Sequence, residues 1–116
     1  MDKIEAGKFV DTLPEGQVRD QGAIALLNRS LHLGVDASGK RLTPEERRIY
    51  EKTFHHLTGK VMEEFRQSAK GVHNHYSHTQ IFLNHHLRIQ NSAVQEELIE
   101  RCLDTGVSAT DCPSRE

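Results

Sequence analysis

The sequence has no tryptophan, few other aromatic residues and no marked excess of either charge. Its 116 residues include four phenylalanines and two tyrosines, and its 15 basic and 17 acidic residues give a net charge of −2. Non-specific nucleic-acid binding needs a basic face, and stacking of single-stranded bases needs aromatic platforms. This composition therefore argues against nucleic acid as a partner.

Long apolar runs are also missing. No stretch approaches the roughly 20 apolar residues that a membrane-spanning helix needs. The first ten residues lack the apolar segment of a signal peptide. We therefore expect a soluble cytoplasmic protein without a membrane partner. In that compartment Cys102 and Cys112 are expected to be reduced, a disulfide between them being the alternative.

Sequence motifs of enzyme chemistry are absent as well. The chain has no G-x-S-x-G elbow, no glycine-rich phosphate loop, no H-E-x-x-H pair and no C-x-x-C pair. Cys102 lies near the C-terminal end of a predicted helix, where the helix dipole disfavours a thiolate. We expect neither enzymatic activity nor a bound cofactor.

Apolar residues recur at helical spacing in three stretches, which predicts an all-α fold. The first predicted helix begins near Pro14 and ends before Gly34, a residue type that suits the position after a helix. The second has the clearest start, because Thr43, Pro44 and Glu46 form a capping box. Its apolar seam consists of Tyr50, Phe54, Leu57, Val61 and Phe65.

The third predicted helix runs from about Asn74 to Leu103 and is apolar on more than one side. One neighbouring helix cannot cover both sides, so this helix is expected to lie in the centre of the bundle or in an oligomer interface. One apolar stripe contains Tyr76, Leu83, Leu87, Val94 and Leu98, and the other contains Phe82, Ile89 and Ala93.

Together these elements predict a three-helix bundle. The first helix packs on a long antiparallel hairpin of the second and third helices, which a tight turn at Lys70 and Gly71 would join. A single helical domain spans 12–104, flanked by a flexible N-terminal arm at 1–11 and a flexible C-terminal tail at 105–116. Gly22, inside the first helix, is interpreted as a site of close helix packing rather than of ligand binding.

The histidines are the most unusual feature, since five of the eight lie within 73–86. His75, His78 and His85 share helix faces at spacings of three and seven residues, and with His55 they would suit zinc or another transition metal. No carboxylate accompanies them in that segment, and the spacing of known structural zinc motifs is missing. The preferred interpretation is that these imidazoles border an apolar interface.

Surplus apolar surface without an enzyme motif predicts a small adaptor or regulatory protein that binds another protein and forms a homodimer. The expected binding residues are Phe82, His85, His86, Ile89 and Ala93. Two alternatives stay open: a histidine-rich metal-binding helical protein and a helical DNA-binding regulator. The linker of about eight residues between the first two helices is long for a helix-turn-helix motif.

Overall fold

The computed structural model describes residues 1–68 and 87–104, and helices dominate this part of the chain. Residues 87–89 add one further helical turn. The predicted all-α fold is confirmed here, because the described ranges contain no β-strand and only an isolated bridge between Val35 and Arg41. The helices are α1 (Lys3–Asp11), α2 (Glu15–Leu33), α3 (Pro44–Ser68) and α4 (Ser92–Asp104).

The central helix of the described part is α2, which packs against both α3 and α4. Asp20 meets α3 and Gly22 meets α4, and positions two residues apart lie on nearly opposite sides of a helix. The third predicted helix, for which a central or interfacial place was predicted, contributes α4, and α4 packs against both α1 and α2. The first cluster of buried residues joins all three helices and consists of Ala23, Leu26, Leu27, Leu57, Ile99 and Cys102.

The predicted seam of α3 is confirmed over its first four members, but it packs against α2. Tyr50 and Phe54 are half-buried against the first cluster, and Leu57 and Val61 are buried. α3 and α4 make no extensive contact with each other. The turn at residues 70–71 lies outside the described residues, so the antiparallel hairpin stays a prediction.

An ion pair fixes the alignment of α2 and α3. Lys60 Nζ lies 3.1 Å from Asp20 Oδ2, and the Asp20 side chain is only 6% exposed. No hydrogen-bond donor of the described residues satisfies this carboxylate oxygen in good geometry, so charge attraction is its compensation. At the other end of α3, Arg47 donates to the Leu31 carbonyl oxygen at 3.3 Å. The start of α2 therefore lies beside the later part of α3 and its end beside the start of α3, so the two helices are antiparallel.

Residues 3–11 form a helix, so the prediction of a frayed arm at 1–11 is wrong. The Asp2 carboxylate caps α1 by accepting a hydrogen bond from the Glu5 amide at 2.8 Å. Ala6 and Val10, four residues apart on one face, are both fully buried. They pack with two α4 residues in a second cluster, which consists of Ala6, Val10, Val94 and Leu98.

The third predicted helix is interrupted at residues 90–91, so a continuous helix from 74 to 103 is wrong at this point. Asn91 Oδ1 accepts hydrogen bonds from the amides of Ala93 at 2.9 Å and Val94 at 3.4 Å. Asn91 is therefore the N-cap of α4. The local cap prevails over an apolar periodicity that continues across it, and residues 74–86 lie outside the described part.

The predicted helix ends around the α2–α3 connection are confirmed. Gly34 ends α2 at a φ of 74°, where its amide donates to the Ser30 carbonyl oxygen at 2.8 Å. Thr43 and Glu46 start α3 with reciprocal hydrogen bonds of 3.0 and 3.1 Å between side chain and backbone.

Candidate protein-binding surface

Two of the five predicted binding residues, Ile89 and Ala93, lie in the described part of the chain. Both are half-buried and pack against the second cluster. Phe82, His85 and His86 lie outside it. The two described residues of the predicted binding surface therefore pack in part against a cluster that the chain's own α1 and α4 form.

Partly exposed apolar side chains pack against the second cluster, and we call this set the apolar rim. Its members come from α1, the α1–α2 connection, α2, the turn before α4 and α4 itself. Because each is partly exposed and partly packed on buried residues, the rim is held in place by the core while it remains open to solvent. The rim consists of Phe9, Leu13, Val18, Ile89 and Ala93.

A groove of about 640 Å³ opens along this rim between the end of α1 and the start of α2. Its volume falls within the ~300–1,000 Å³ range that is common for binding pockets. Gly16 leaves one wall without a side chain, and apart from its own local backbone no described residue lies within 4 Å of where its Cβ would be. The other lining residues are Val10, Leu13, Glu15, Val18, Arg19 and Arg101.

Arg101 lines this groove, and its side chain has a structural role. Its guanidinium contacts Asp11 Oδ1 at 2.7 Å and Glu97 Oε1 at 3.1 Å, and donates to the Gly7 carbonyl oxygen at 3.2 Å. Hydrogen bonding to Asp11 raises the pKa of Arg101 above its ordinary value. The side chain therefore ties α4 to α1, and neighbouring carboxylates balance its charge.

Two other cations border the rim without such a balance. Arg19 lines the groove, and within residues 1–68 and 87–104 no carboxylate forms an ion pair with it. Arg88 lies over the Phe9 ring, 5.5 Å from its centroid, and likewise has no ion-pair partner in these ranges. In the described part of the chain, the groove is thus lined by Glu15 and Arg19, and a second arginine, Arg88, lies over the rim residue Phe9.

The predictions made from the sequence did not include this groove. Phe9 belongs to a segment that was predicted to be a flexible arm. Leu13 and Val18 lie at a junction between helices, and the apolar periodicity of the sequence does not predict the geometry of such a junction. The available signal was the pair Ala6 and Val10, whose spacing suits one buried helix face.

The predicted metal ligands are not brought together in the described part. His55 is exposed on α3, with its ring edge-on to Phe54 at a centroid distance of 5.8 Å. His75, His78 and His85 lie outside the described residues. Within those residues, no three histidine, cysteine or acidic side chains form a group suited to a metal ion, and metal binding stays a prediction.

Cys102 is buried where α4 meets α2. Its Cβ would lie 2.7 Å from a Cβ built on Gly22, so the thiol belongs to a tight helix contact. Cys112, the other member of the alternative disulfide, lies outside the described residues.

No protein-family model, curated protein or solved structure matches this chain. Among the helices that the structure describes, none combines the length and the apolar character needed to cross a membrane. The geometry of the apolar rim is therefore the basis for inferring a function.

Proposed function

We propose that the protein is a small adaptor or regulatory protein that binds another polypeptide through the apolar rim. The single observation that supports this proposal is the groove, whose lining includes the half-buried rim residues Leu13 and Val18. Single exposed apolar residues are common on soluble proteins, whereas a contiguous apolar group around a groove is typical of an interaction site.

The proposed surface includes the described part of the site that the sequence predicted. Ile89 and Ala93 belong to the rim, and Leu87, which is 68% exposed, lies two residues from Ile89. Phe82, His85 and His86, the other binding residues predicted from the sequence, lie outside the described residues and stay part of the proposal. A cytoplasmic location and a homodimer are further parts of this proposal.

A peptide-display experiment tests the proposal directly. A library of random peptides of about 16 residues would be selected against the full chain, and each selected peptide would be titrated against two variants. Leu13→Glu places a charge in the groove, whereas Met62→Glu places the same charge on α3, where Met62 is 53% exposed. We expect selected peptides to lose binding to Leu13→Glu and to keep it with Met62→Glu.

The opposite result is equally clear. If no peptide is enriched, or if the peptides bind both variants as well as the unchanged chain, the groove is not a polypeptide-binding site. Circular dichroism and a thermal melt of each variant separate lost binding from lost folding. Val18→Glu, at another position of the groove, provides a second variant if Leu13→Glu does not fold.

A further inference from the structure

We infer that Lys60 is an acylation site at which the loss of one positive charge loosens the contact between α2 and α3. The acyl donor belongs to the class of small acyl phosphates. Two observations lead to this inference: the burial of Asp20 and the accessibility of the lysine that is paired with it. The inference does not depend on the proposed function, because neither residue belongs to the apolar rim or lines the groove.

The Asp20 carboxylate depends on Lys60 for the compensation of its charge. The Asp20 side chain is 6% exposed, and Lys60 Nζ lies 3.1 Å from Oδ2. That oxygen accepts no hydrogen bond in good geometry from the described residues. A buried carboxylate is costly unless a charge is paired with it. Neutralising Lys60 therefore acts on the α2–α3 contact itself, because Asp20 would then be buried without a counter-charge.

Lys60 can be reached by a small molecule, although its partner is buried. Its side chain is 42% exposed, and a second carboxylate oxygen, Glu64 Oε1, lies 3.9 Å from Nζ. A lysine amine on its flexible stem is a common target of acetylation. Acetylation converts the ammonium group into a neutral amide, which no longer forms an ion pair.

A second lysine ion pair in the described ranges, between Lys3 and Glu100, lacks this arrangement. Lys3 Nζ lies 4.0 Å from Glu100 Oε1, and the two side chains are 81% and 55% exposed. Water solvates both members of such a pair, so the pair contributes little to stability. Acylation of Lys3 would remove a surface charge, whereas acylation of Lys60 removes the counter-charge of a buried group.

The reaction is coupled to the opening of the contact. The neutral Lys60 amine attacks the acyl carbon, an amide bond forms, and phosphate leaves with the electron pair of the broken carbon–oxygen bond. The proton of the former ammonium group goes to solvent. Nζ must leave Asp20 before it attacks, because an ammonium group has no free electron pair. Acylation therefore proceeds from the opened contact and then holds it open.

The first test uses full-length chains that carry acetyl-lysine at one genetically encoded position, either 60 or 52. Acetylation at Lys60 is expected to raise the equilibrium constant of unfolding in urea at least ~10-fold and to speed amide hydrogen exchange in α3. Lys52 is exposed on the same helix, and its acetylation should change the constant by less than about 2-fold. Equal, negligible effects at both positions would overturn the inference.

Asp20→Asn shows whether the buried carboxylate is the cause. In this variant, acetylation at Lys60 should raise the constant by less than about 3-fold, because no buried charge is left to lose its partner. A chain that folds with acetylated Lys60 only in this variant gives the same result in stronger form. An effect as large in Asp20→Asn as in the unchanged chain would contradict the inference, since the acyl group would then act by its bulk.

Reactivity is measured on the unmodified full chain with acetyl phosphate. Mass spectrometry of proteolytic fragments follows acetylation at Lys60 and Lys52 over time. Asp20→Asn is expected to speed the reaction at Lys60 about 3-fold or more and to leave Lys52 unchanged, because the carboxylate no longer holds the amine. Circular dichroism checks the fold, and Asp20→Ser replaces Asp20→Asn if that variant does not fold. Reaction at Lys52 without product at Lys60 would rule out the acylation site, and an unchanged rate at Lys60 would rule out the coupling.

Discussion

At the scale of single residues, the missing side chain of Gly22 determines how closely α4 approaches α2. A Cβ at this position would lie 2.5 Å from the Leu98 carbonyl oxygen and 2.7 Å from the Cys102 Cβ. The close packing that the sequence predicted for this glycine is therefore confirmed. A glycine inside a helix costs stability, and at this position the cost is offset by the close contact with α4.

Gly22→Ala is expected to lower the free energy of unfolding by about 1–3 kcal/mol, because the two helices must separate to admit a methyl group. Gly59→Ala is the matched control, since apart from its own local backbone no described residue lies within 4 Å of its Cβ position. That variant should gain about 0.5–1 kcal/mol from helix propensity alone. Urea unfolding of both variants measures the difference, and an equal gain in both would contradict the close contact.

The charges of the groove illustrate what a sequence does not contain at this scale. Arg19 and Arg101 are the same residue type on predicted helices, and nothing local distinguishes them. Their difference arises from tertiary contacts, because Arg101 meets Asp11 on another helix while Arg19 meets no carboxylate in the described ranges. The residues that border the groove were therefore not predictable individually.

At the scale of the elements, helix starts were predictable where the local sequence contains a clear set of capping residues. Thr43 and Glu46 are three residues apart and form the reciprocal bonds expected of a capping box. Asn91 carries a weaker form of the same signal, because asparagine is a favoured N-cap residue. Its signal was outweighed by apolar periodicity on both sides, and the helix break went unpredicted.

The capping box gives the start of α3 a defined dependence on pH. The hydrogen bond from the Thr43 amide lowers the pKa of Glu46 below its ordinary value of 4.5. A carboxylate with a lowered folded-state pKa contributes stability that is fully present above the unfolded value and is lost as pH falls through the folded value. The stabilisation by Glu46 should therefore disappear only below about pH 4.5.

Melting temperatures of the unchanged chain and of Glu46→Gln test this dependence. The two should differ most near neutral pH and converge as the pH falls below about 4.5 and through the lowered pKa of Glu46. Glu45→Gln, one residue earlier, is the control for general loss of negative charge in the first turn. A gap that stays constant down to about pH 2.5 would show that the Glu46 charge does not contribute.

At the scale of the whole molecule, the helical class was predictable and the pairing of helices was not. Periodicity shows which side of a helix is apolar, but it does not show which neighbour covers that side. α3 has the seam that the sequence predicted, and the seam packs against α2. α4 is apolar on more than one side, as predicted for the third helix, but the α4 residues of both predicted stripes pack in the second cluster. The side that packs with α2 consists of Ile99 and Cys102, which belong to neither stripe.

The docking of α1 has a measurable consequence for the entire domain. Val10 is fully buried in the second cluster, so Val10→Ala should lower the free energy of unfolding by about 1–3 kcal/mol. Ile4→Ala removes more apolar volume from the same helix, but Ile4 is 71% exposed and the change should cost less than ~0.5 kcal/mol. Equal, negligible effects in urea unfolding would mean that α1 is not part of the cooperative unit.

The ion pair between Asp20 and Lys60 also acts against misaligned folding. If α3 slipped along α2 by one helical turn in either direction, the position opposite Asp20 would hold His56 or Glu64 instead of lysine. A slip to Glu64 would place two carboxylates together in a buried site, and a slip to His56 would remove the lysine ammonium from the carboxylate. One buried acidic residue thereby makes a single sliding position of the two helices favourable, although their apolar seams alone would tolerate several.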